Sequence, residues 1–119
     1  MRYLLMISAE ETETGEGAVD PNDPGSADDL AVFRAWFADL QQRGVLQAHE
    51  GLHPSRTATT VRVRGDEVLL TDGPFAETKD QIGGFALIDC ADLDEAIDIA
   101  AGHPAARYGQ VEVRPVLEP

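Results

Sequence analysis

The sequence has one cysteine, Cys90, one lysine, Lys79, and few aromatic residues, which make up 6% of the chain. A single cysteine excludes an internal disulfide and any zinc site built from several thiolates. No apolar run approaches the ~20 residues that span a bilayer. Residues 1–8 are too short for a signal peptide with its cleavage site, and a first strand explains them better. We therefore expect a cytoplasmic protein that does not associate with membranes.

Basic residues are scarce, because nine Lys and Arg stand against 22 Asp and Glu, for a net charge of −13. Binding to nucleic-acid phosphates needs clustered basic residues, so we expect no nucleic-acid partner. Eight of the acids lie between Arg2 and Arg34, where no basic residue occurs; without them the charge is −13 + 8 = −5. The excess therefore belongs to one segment. Residues 9–25, rich in Glu, Gly, Asp and Pro, predict a flexible acidic loop.

The remaining pattern predicts a single domain over residues 1–119, with 43% hydrophobic residues to build its core. Hydrophobic periodicity and turn residues predict the order β-α-β-(β-hairpin)-β-α-β. The predicted strands cover residues 2–8, 45–52, 59–64, 68–71, 85–88 and 111–114. The first helix is capped by Ser26 and ends at Gly44, and the second begins at a capping box of Asp92 and Glu95 and ends at Gly102.

Two helices can cover only one face of an antiparallel sheet. Residues 4–7 and 85–88 are nevertheless apolar at every position, which is typical of strands buried on both faces. Something else must therefore cover the second face, and another copy of the same sheet is the simplest candidate. The sequence predicts an α+β fold that forms a homodimer by packing sheet on sheet.

Residues 49–53 match the H-E-x-x-H signature of zinc proteases. That chemistry needs a helix, which brings the two histidines onto one face. Gly51 and the following Pro54 disfavour a helix, and an extended segment separates the histidines by about 13 Å. Residues 20–25 match a calcium-binding loop only in part, because two ligand positions hold residues that cannot ligate. We therefore expect no metal and no cofactor.

The stretch 71–79, Thr-Asp-Gly-Pro-Phe-Ala-Glu-Thr-Lys, joins two predicted strands and is longer than a hairpin turn needs. Asp72 is either a functional acid or a turn residue that accepts hydrogen bonds from its own loop. Phe75 either fills the loop or the dimer seam, or stacks on a ligand. Lys79 either meets an anion or is an ordinary surface lysine. In the last strand Arg114 either pairs with Glu112 at the dimer interface or meets a ligand carboxylate.

Four segments of the chain, residues 57–62, 72–79, 83–96 and 104–115, together resemble the YCII-related proteins, in the branch named for its Asp-Gly-Pro-Phe motif. The resemblance covers nearly the whole chain except residues 9–25. It implies a ferredoxin-like α+β fold that dimerises through its sheets, the dimeric α+β barrel. Glu50 stands where the family usually carries Gly-Glu before an apolar residue.

The resemblance implies two kinds of function. Members of this branch often occur beside or fused to extracytoplasmic-function sigma factors, which implies a regulatory or ligand-sensing role. The few enzymatic members of the superfamily resemble small-molecule lyases or dehydrochlorinases and are proposed to use a His–Asp pair in a cleft beside the sheet. His49, His53 and His103 do not stand at positions that match that histidine.

We therefore predict a small-molecule-binding or regulatory homodimer whose ligand is anionic or aromatic. The alternative is a lyase or isomerase in which Asp72 or Glu50 handles a proton. The predicted ligand-binding residues are Gly73, Pro74, Phe75, Lys79 and Arg114.

Overall fold

The computed structural model describes residues 1–11 and 27–118. Within these residues, six strands and three α-helices follow the predicted order, and the short third helix, α3, is one that the sequence pattern did not predict. The strands are β1 (Arg2–Glu10), β2 (Leu46–Gly51), β3 (Thr59–Arg64), β4 (Glu67–Asp72), β5 (Asp80–Asp89) and β6 (Gln110–Pro115). The helices are α1 (Ala27–Gln42), α2 (Leu93–Ala101) and α3 (Ala105–Tyr108). None of the described helices is long and apolar enough to cross a membrane.

The main sheet has the antiparallel strand order β2-β5-β1-β6. Its two central strands are β1 and β5, in which Leu5 lies opposite Ala86 and Tyr3 opposite Ile88. The chain reaches this order by two β-α-β units, which is the ferredoxin-like arrangement. Among the described strands, β3 and β4 pair only with each other and form a separate ribbon. The predicted fold class, α+β and ferredoxin-like as in the dimeric α+β barrels, is confirmed.

The core lies between one face of the sheet and the helices. Tyr3, Leu5, Ala86 and Ile88 from the central strands are almost completely buried there. The helices supply Trp36, Leu40, Ala96, Ile99 and Ala100. The indole N–H of Trp36 donates a 2.8 Å hydrogen bond to the carbonyl oxygen of Ile99, which joins α1 to α2. This bond fixes the indole ring in the core.

The element boundaries agree with the sequence at the described helix ends, and the strand bounds differ by more than one residue only at β1 and β5. Gly44 ends α1 at φ +72°, and the N–H of Glu95 donates to the Asp92 carboxylate at 2.9 Å, as the predicted capping box requires. Strand β1 continues to Glu10, so the first two residues of the predicted loop 9–25 belong to the sheet. Strand β5 begins at Asp80, because pairing with β1 and β2 extends it before the predicted start. The Ser26 cap, the calcium-like residues 20–25 and the remainder of the acidic loop after residue 11 lie outside the described residues.

The second face of the main sheet has an apolar centre. Met6 lies opposite Phe85 and Leu4 opposite Leu87, and all four side chains are half-buried. The described helices pack on the other face. We call this surface the open face.

Candidate functional site

A cleft of about 360 Å³ opens at one end of the sheet, between the sheet and the helix layer. The end of β1, strand β2, the start of β5, the first turns of α1 and helix α3 all contribute to it. Its volume falls within the ~300–1,000 Å³ range of small-molecule sites. The lining includes all three histidines of the chain, namely His49, His53 and His103.

The ring of Phe33 and the imidazoles of His49 and His103 line the inner part of the cleft, and other aromatic rings pack against them from outside the lining. The ring centroid of Phe33 lies 5.3 Å from that of His49 and 5.7 Å from that of His103. Trp36 meets the His103 ring at 4.9 Å in a T-shaped contact. Helical spacing puts the rings of Phe33, Trp36 and Phe37 on the face of α1 that meets the sheet, where Phe33 lines the cleft and the other two contact the histidines.

His103 is the only buried polar or charged residue among those described, with 6% of its surface exposed. It lies in the turn between α2 and α3, where its backbone N–H donates to the Ala100 carbonyl oxygen at 3.1 Å. The N–H of Ala105 donates to its Nδ1 at 3.0 Å. Burial, followed by the nearby His49, lowers the pKa of His103 to about 4. The ring is therefore uncharged near neutral pH.

His49 lies on β2 opposite Ala86, and its side chain faces the helix layer. Burial lowers the pKa of His49, while the neighbouring Glu50 carboxylate raises it by a smaller amount. The imidazole contacts the rings of Phe33 and Phe37. It makes no hydrogen bond to any other described residue. His49 is thus a second histidine kept mainly uncharged, with both ring nitrogens available.

The charged residues of the cleft lining are all acidic: Glu10, Glu11 and Glu50. The Glu11 carboxylate accepts hydrogen bonds from the backbone N–H and the hydroxyl of Ser55, which ties the end of β1 to the turn after β2. No Lys or Arg of the described ranges lines the cleft. A negatively charged ligand would therefore meet repulsion rather than a counter-ion.

Of the predicted site residues, Glu50 alone borders the cleft. Adjacent strand residues point to opposite faces, so its side chain lies on the other face of β2 from that of His49. The register between β2 and β5 agrees with this placement, because Glu50 pairs with Phe85 of the open face, whereas His49 pairs with the buried Ala86. The carboxylate is exposed. Glu50 remains a predicted acid, beside the cleft rather than inside it.

No residue of the Asp72–Lys79 loop lines the cleft, although the side-chain amide of Gln81, which does line it, donates to the carbonyl oxygens of Ala76 and Thr78 at 3.1 and 2.9 Å. Asp72 ends β4 with its side chain exposed, and its carboxylate accepts no hydrogen bond from the described residues. Gly73 adopts φ +96° and donates its N–H to the Ala58 carbonyl oxygen at 2.7 Å. Pro74 is half-buried, and Phe75 is 82% exposed. The loop is held to the base of the ribbon, and its ligand-binding role stays a prediction.

The two predicted basic residues occupy different surfaces. Lys79 lies 3.8 Å from a carboxylate oxygen of Glu10, with both side chains largely exposed. Arg114 pairs with Glu112 of the same strand at 2.7 Å, on the face of β6 that continues the open face. Neither residue lines the cleft. Of the two roles predicted for Arg114, the ion pair with Glu112 is observed within one chain.

No sequence pattern predicted that His49 and His103 lie together in one cleft. These residues lie in β2 and after α2, and the fold brings both to Phe33. The H-E-x-x-H match drew attention to His49 for a zinc chemistry that needs a helix, whereas the segment is a strand. In the sequence, the run Gly102-His103-Pro104 indicates only the end of a helix. The one available signal for a functional histidine is its position between a glycine that ends a helix and a proline.

Three comparisons with known proteins bear on this chain. The model of the YCII-related domain matches residues 1–119. An uncharacterised protein of Rhizobium meliloti (strain 1021) is 37% identical over 118 residues, covering 98% of this chain and 92% of that protein. A solved structure of 5-chloro-2-hydroxyhydroquinone dehydrochlorinase from Burkholderia phenoliruptrix AC1100, in complex with 2,5-dihydroxybenzoquinone, matches with a TM-score of 0.52.

That structural match covers 100% of this chain and 96% of the dehydrochlorinase chain, at 15% sequence identity. At this identity the likeness shows a shared fold only. The family match spans the whole chain and the relative is similar over nearly all of it, so family membership rests on both. The finer assignment to the Asp-Gly-Pro-Phe branch stays a prediction. The chain belongs to the family of proteins with a YCII-related domain.

Proposed function

We propose that the cleft binds a small, planar, uncharged molecule. The observation that carries this proposal is the cleft lining itself, which combines aromatic rings, two uncharged imidazoles and no basic residue of the described ranges. Planar ligands gain from stacked or edge-on ring contacts of this kind. Of the two ligand classes that the sequence predicted, these residues favour the aromatic one over the anionic one.

Ligand binding tests the location of the site directly. Catechol, uncharged at pH 7, should stabilise the protein in a thermal-shift titration, and benzoate should bind at least ~10-fold more weakly because the cleft acids repel it. His49→Gln should abolish the catechol shift, whereas Asp72→Asn should keep it. The opposite pattern would move the site to the 72–79 loop. Tighter binding of benzoate than of catechol would contradict the proposed ligand class.

A second candidate function is proton transfer by a lyase or isomerase. The specific observation in its favour is His49, an accessible imidazole that is kept unprotonated and can therefore act as a general base. The dehydrochlorinase of similar fold makes loss of hydrogen chloride from a hydroxylated ring one reaction to consider. Binding and catalysis are distinguished by the fate of the probe, which a binding module returns unchanged and an enzyme consumes.

We also propose that the protein is a homodimer joined at the open face. Four half-buried apolar side chains occupy the centre of that face: Leu4, Met6, Phe85 and Leu87. Self-association buries the same patch of both copies, as expected for a twofold interface. The ribbon adds exposed apolar side chains, among them Val61, Val63, Val68 and Leu70. Dimerisation, cytoplasmic localisation and the link to sigma-factor systems stay predictions, and the last rests on the resemblance alone.

The dimer proposal predicts that Leu87→Asp yields a monomer. An unpaired carboxylate at a buried interface costs several kcal/mol, so the dimer dissociation constant should rise at least ~100-fold. Size-exclusion chromatography with light scattering gives the masses. Ile97→Asp is the matched control, because Ile97 is an exposed apolar residue of α2. A monomeric wild type at tens of micromolar, or a dimeric Leu87→Asp variant, would contradict the proposal.

A further inference from the structure

The imidazole of His103 is held rigidly by its own turn. Pro104 follows it and is fully buried, and the His103 N–H is bound to the Ala100 carbonyl oxygen. The Trp36 ring packs against the imidazole at an interplanar angle of 82°. Trp36 is in turn fixed by its indole hydrogen bond to Ile99. Rotation of the imidazole would break its packing on Trp36 and the hydrogen bond that Ala105 donates to Nδ1, so its two nitrogens have fixed directions.

The hydrogen bond from Ala105 determines which nitrogen carries the proton. A backbone N–H only donates, so Nδ1 of His103 must present a lone pair. The neutral ring then carries its hydrogen on Nε2. Protonation of Nδ1 would set two N–H groups against each other in a buried turn. The geometry therefore selects the neutral ring with an Nε2–H group.

The Nε2 atom of His103 faces the cleft. Among the described residues, every buried side-chain nitrogen and oxygen has a hydrogen-bond partner. Nε2 of His103 has none, since the bond from Ala105 is the only one its ring makes in the described part of the chain. Nε2 is therefore not a buried atom, and the surface that His103 exposes belongs to the cleft lining.

We infer that His103 is a fixed hydrogen-bond donor, which offers Nε2–H to an oxygen acceptor of the bound molecule and does not accept a proton from it. The inference rests on the proposed function, because it assigns a role within the same cleft. His49, whose ring nitrogens are both available, is the group left to accept a hydrogen bond or a proton. The two imidazoles together fit a planar molecule that carries both a carbonyl oxygen and a hydroxyl group.

The low pKa of His103 agrees with this role. An imidazole with a pKa of about 4 stays uncharged at neutral pH and is a poor base there. An uncharged donor can bind a neutral carbonyl without the cost of burying a cation. A purely structural histidine would share the buried turn and the Ala105 bond. It would not respond at Nε2 to a ligand, and this difference is what the experiment measures.

The first arm of the experiment reads the proton positions in the ligand-free protein. Long-range proton–nitrogen NMR spectra of ¹⁵N-labelled protein distinguish the two neutral tautomers and the imidazolium. His49→Gln and His53→Gln each remove one signal set and so assign His103. We expect an Nε2–H ring for His103 from pH 7.5 down to pH 5. An Nδ1–H tautomer, or an imidazolium at pH 7, would overturn the inference.

The second arm compares 4-hydroxyacetophenone with 4-ethylphenol, two uncharged probes of similar shape that differ in the carbonyl group. Wild type should bind the first at least ~10-fold more tightly, because only the carbonyl accepts from Nε2–H. The Nε2–H resonance should shift with that probe alone. His103→Phe keeps a ring and should bind both equally. His103→Gln, which retains an N–H donor, is the substitute variant if the phenylalanine variant does not fold. It should still bind 4-hydroxyacetophenone more tightly than 4-ethylphenol.

The outcomes separate this inference from the proposed function. Equal binding of both probes by wild type would overturn the donor role while leaving a ligand-binding cleft intact. Binding of neither probe would overturn the proposed ligand class, and the donor role with it. The tautomer measured in the ligand-free protein would still show whether the ring has the state inferred from its hydrogen bond.

Discussion

Replacing Gly109 by alanine is expected to lower the free energy of unfolding by about 3 kcal/mol, at the upper end of the usual cost of overpacking. Gly109 joins α3 to β6 and packs directly on β1. A Cβ atom placed there would lie 2.2 Å from the carbonyl oxygen of Ser8 and 2.9 Å from Cα of Ala9. Both neighbours are backbone atoms, so no side-chain rotation can make room. The end of β1 would have to move away from α3.

Urea unfolding curves of wild type and variant measure this loss. Gly83→Ala is the matched control, because a Cβ at Gly83 would meet nothing within 4 Å, and its free energy of unfolding should change by less than ~0.5 kcal/mol. Because Ala105 and Tyr108 of α3 line the cleft, Gly109→Ala should also weaken catechol binding. A Gly109→Ala variant as stable as wild type would show that β1 and α3 do not approach this closely.

The architecture followed from local sequence patterns. The spacing of Phe33, Phe37 and Leu40 predicted an amphipathic helix, and Gly44 predicted its end. The apolar runs 4–7 and 85–88 predict two strands buried on both faces, and they lie in β1 and β5, the central strands of the sheet. These features depend on nearby residues and on the strong preferences of a few side chains. Their prediction therefore needed no knowledge of distant contacts.

The cleft could not be predicted in the same way, because it is a product of strand order. His49 reaches Phe33 only when β2 pairs with β5, and His103 reaches it only when the turn after α2 packs on α1. Neither pairing has a local signature. The tautomer of His103 depends on one hydrogen bond from Ala105, a detail that periodicity does not encode.

The 71–79 loop is the opposite case, because its sequence is distinctive but does not show what the loop contacts. Its composition identified it as unusual, and its position on the ribbon explains the need for Gly73 at positive φ. The same composition also suggested a binding site, yet no residue of the loop lines the cleft. A residue pattern can mark a segment without specifying what the segment contacts, since a second copy of the chain could supply contacts that one copy does not show.

Acidification from pH 7.5 to pH 5 is expected to lower the free energy of unfolding through His103. In the unfolded chain this histidine has the ordinary pKa of 6.5, whereas in the folded protein burial lowers it to about 4. Between these values the unfolded state binds a proton that the folded state does not, so stability falls as the pH falls. The contribution is complete above pH 6.5 and is lost on approaching pH 4. At pH 5 the expected loss is about 2 kcal/mol.

Urea unfolding at the two pH values measures this loss in wild type and in His103→Gln. The variant should show a pH difference smaller by about 2 kcal/mol, because its side chain does not titrate. His49 should contribute a smaller loss of the same sign, since burial lowers its pKa as well. His53→Gln replaces an exposed histidine and should retain the wild-type pH difference. An unchanged pH difference in His103→Gln would mean that His103 is readily protonated in the folded protein, and its role as an uncharged donor would then fail together with the stability argument.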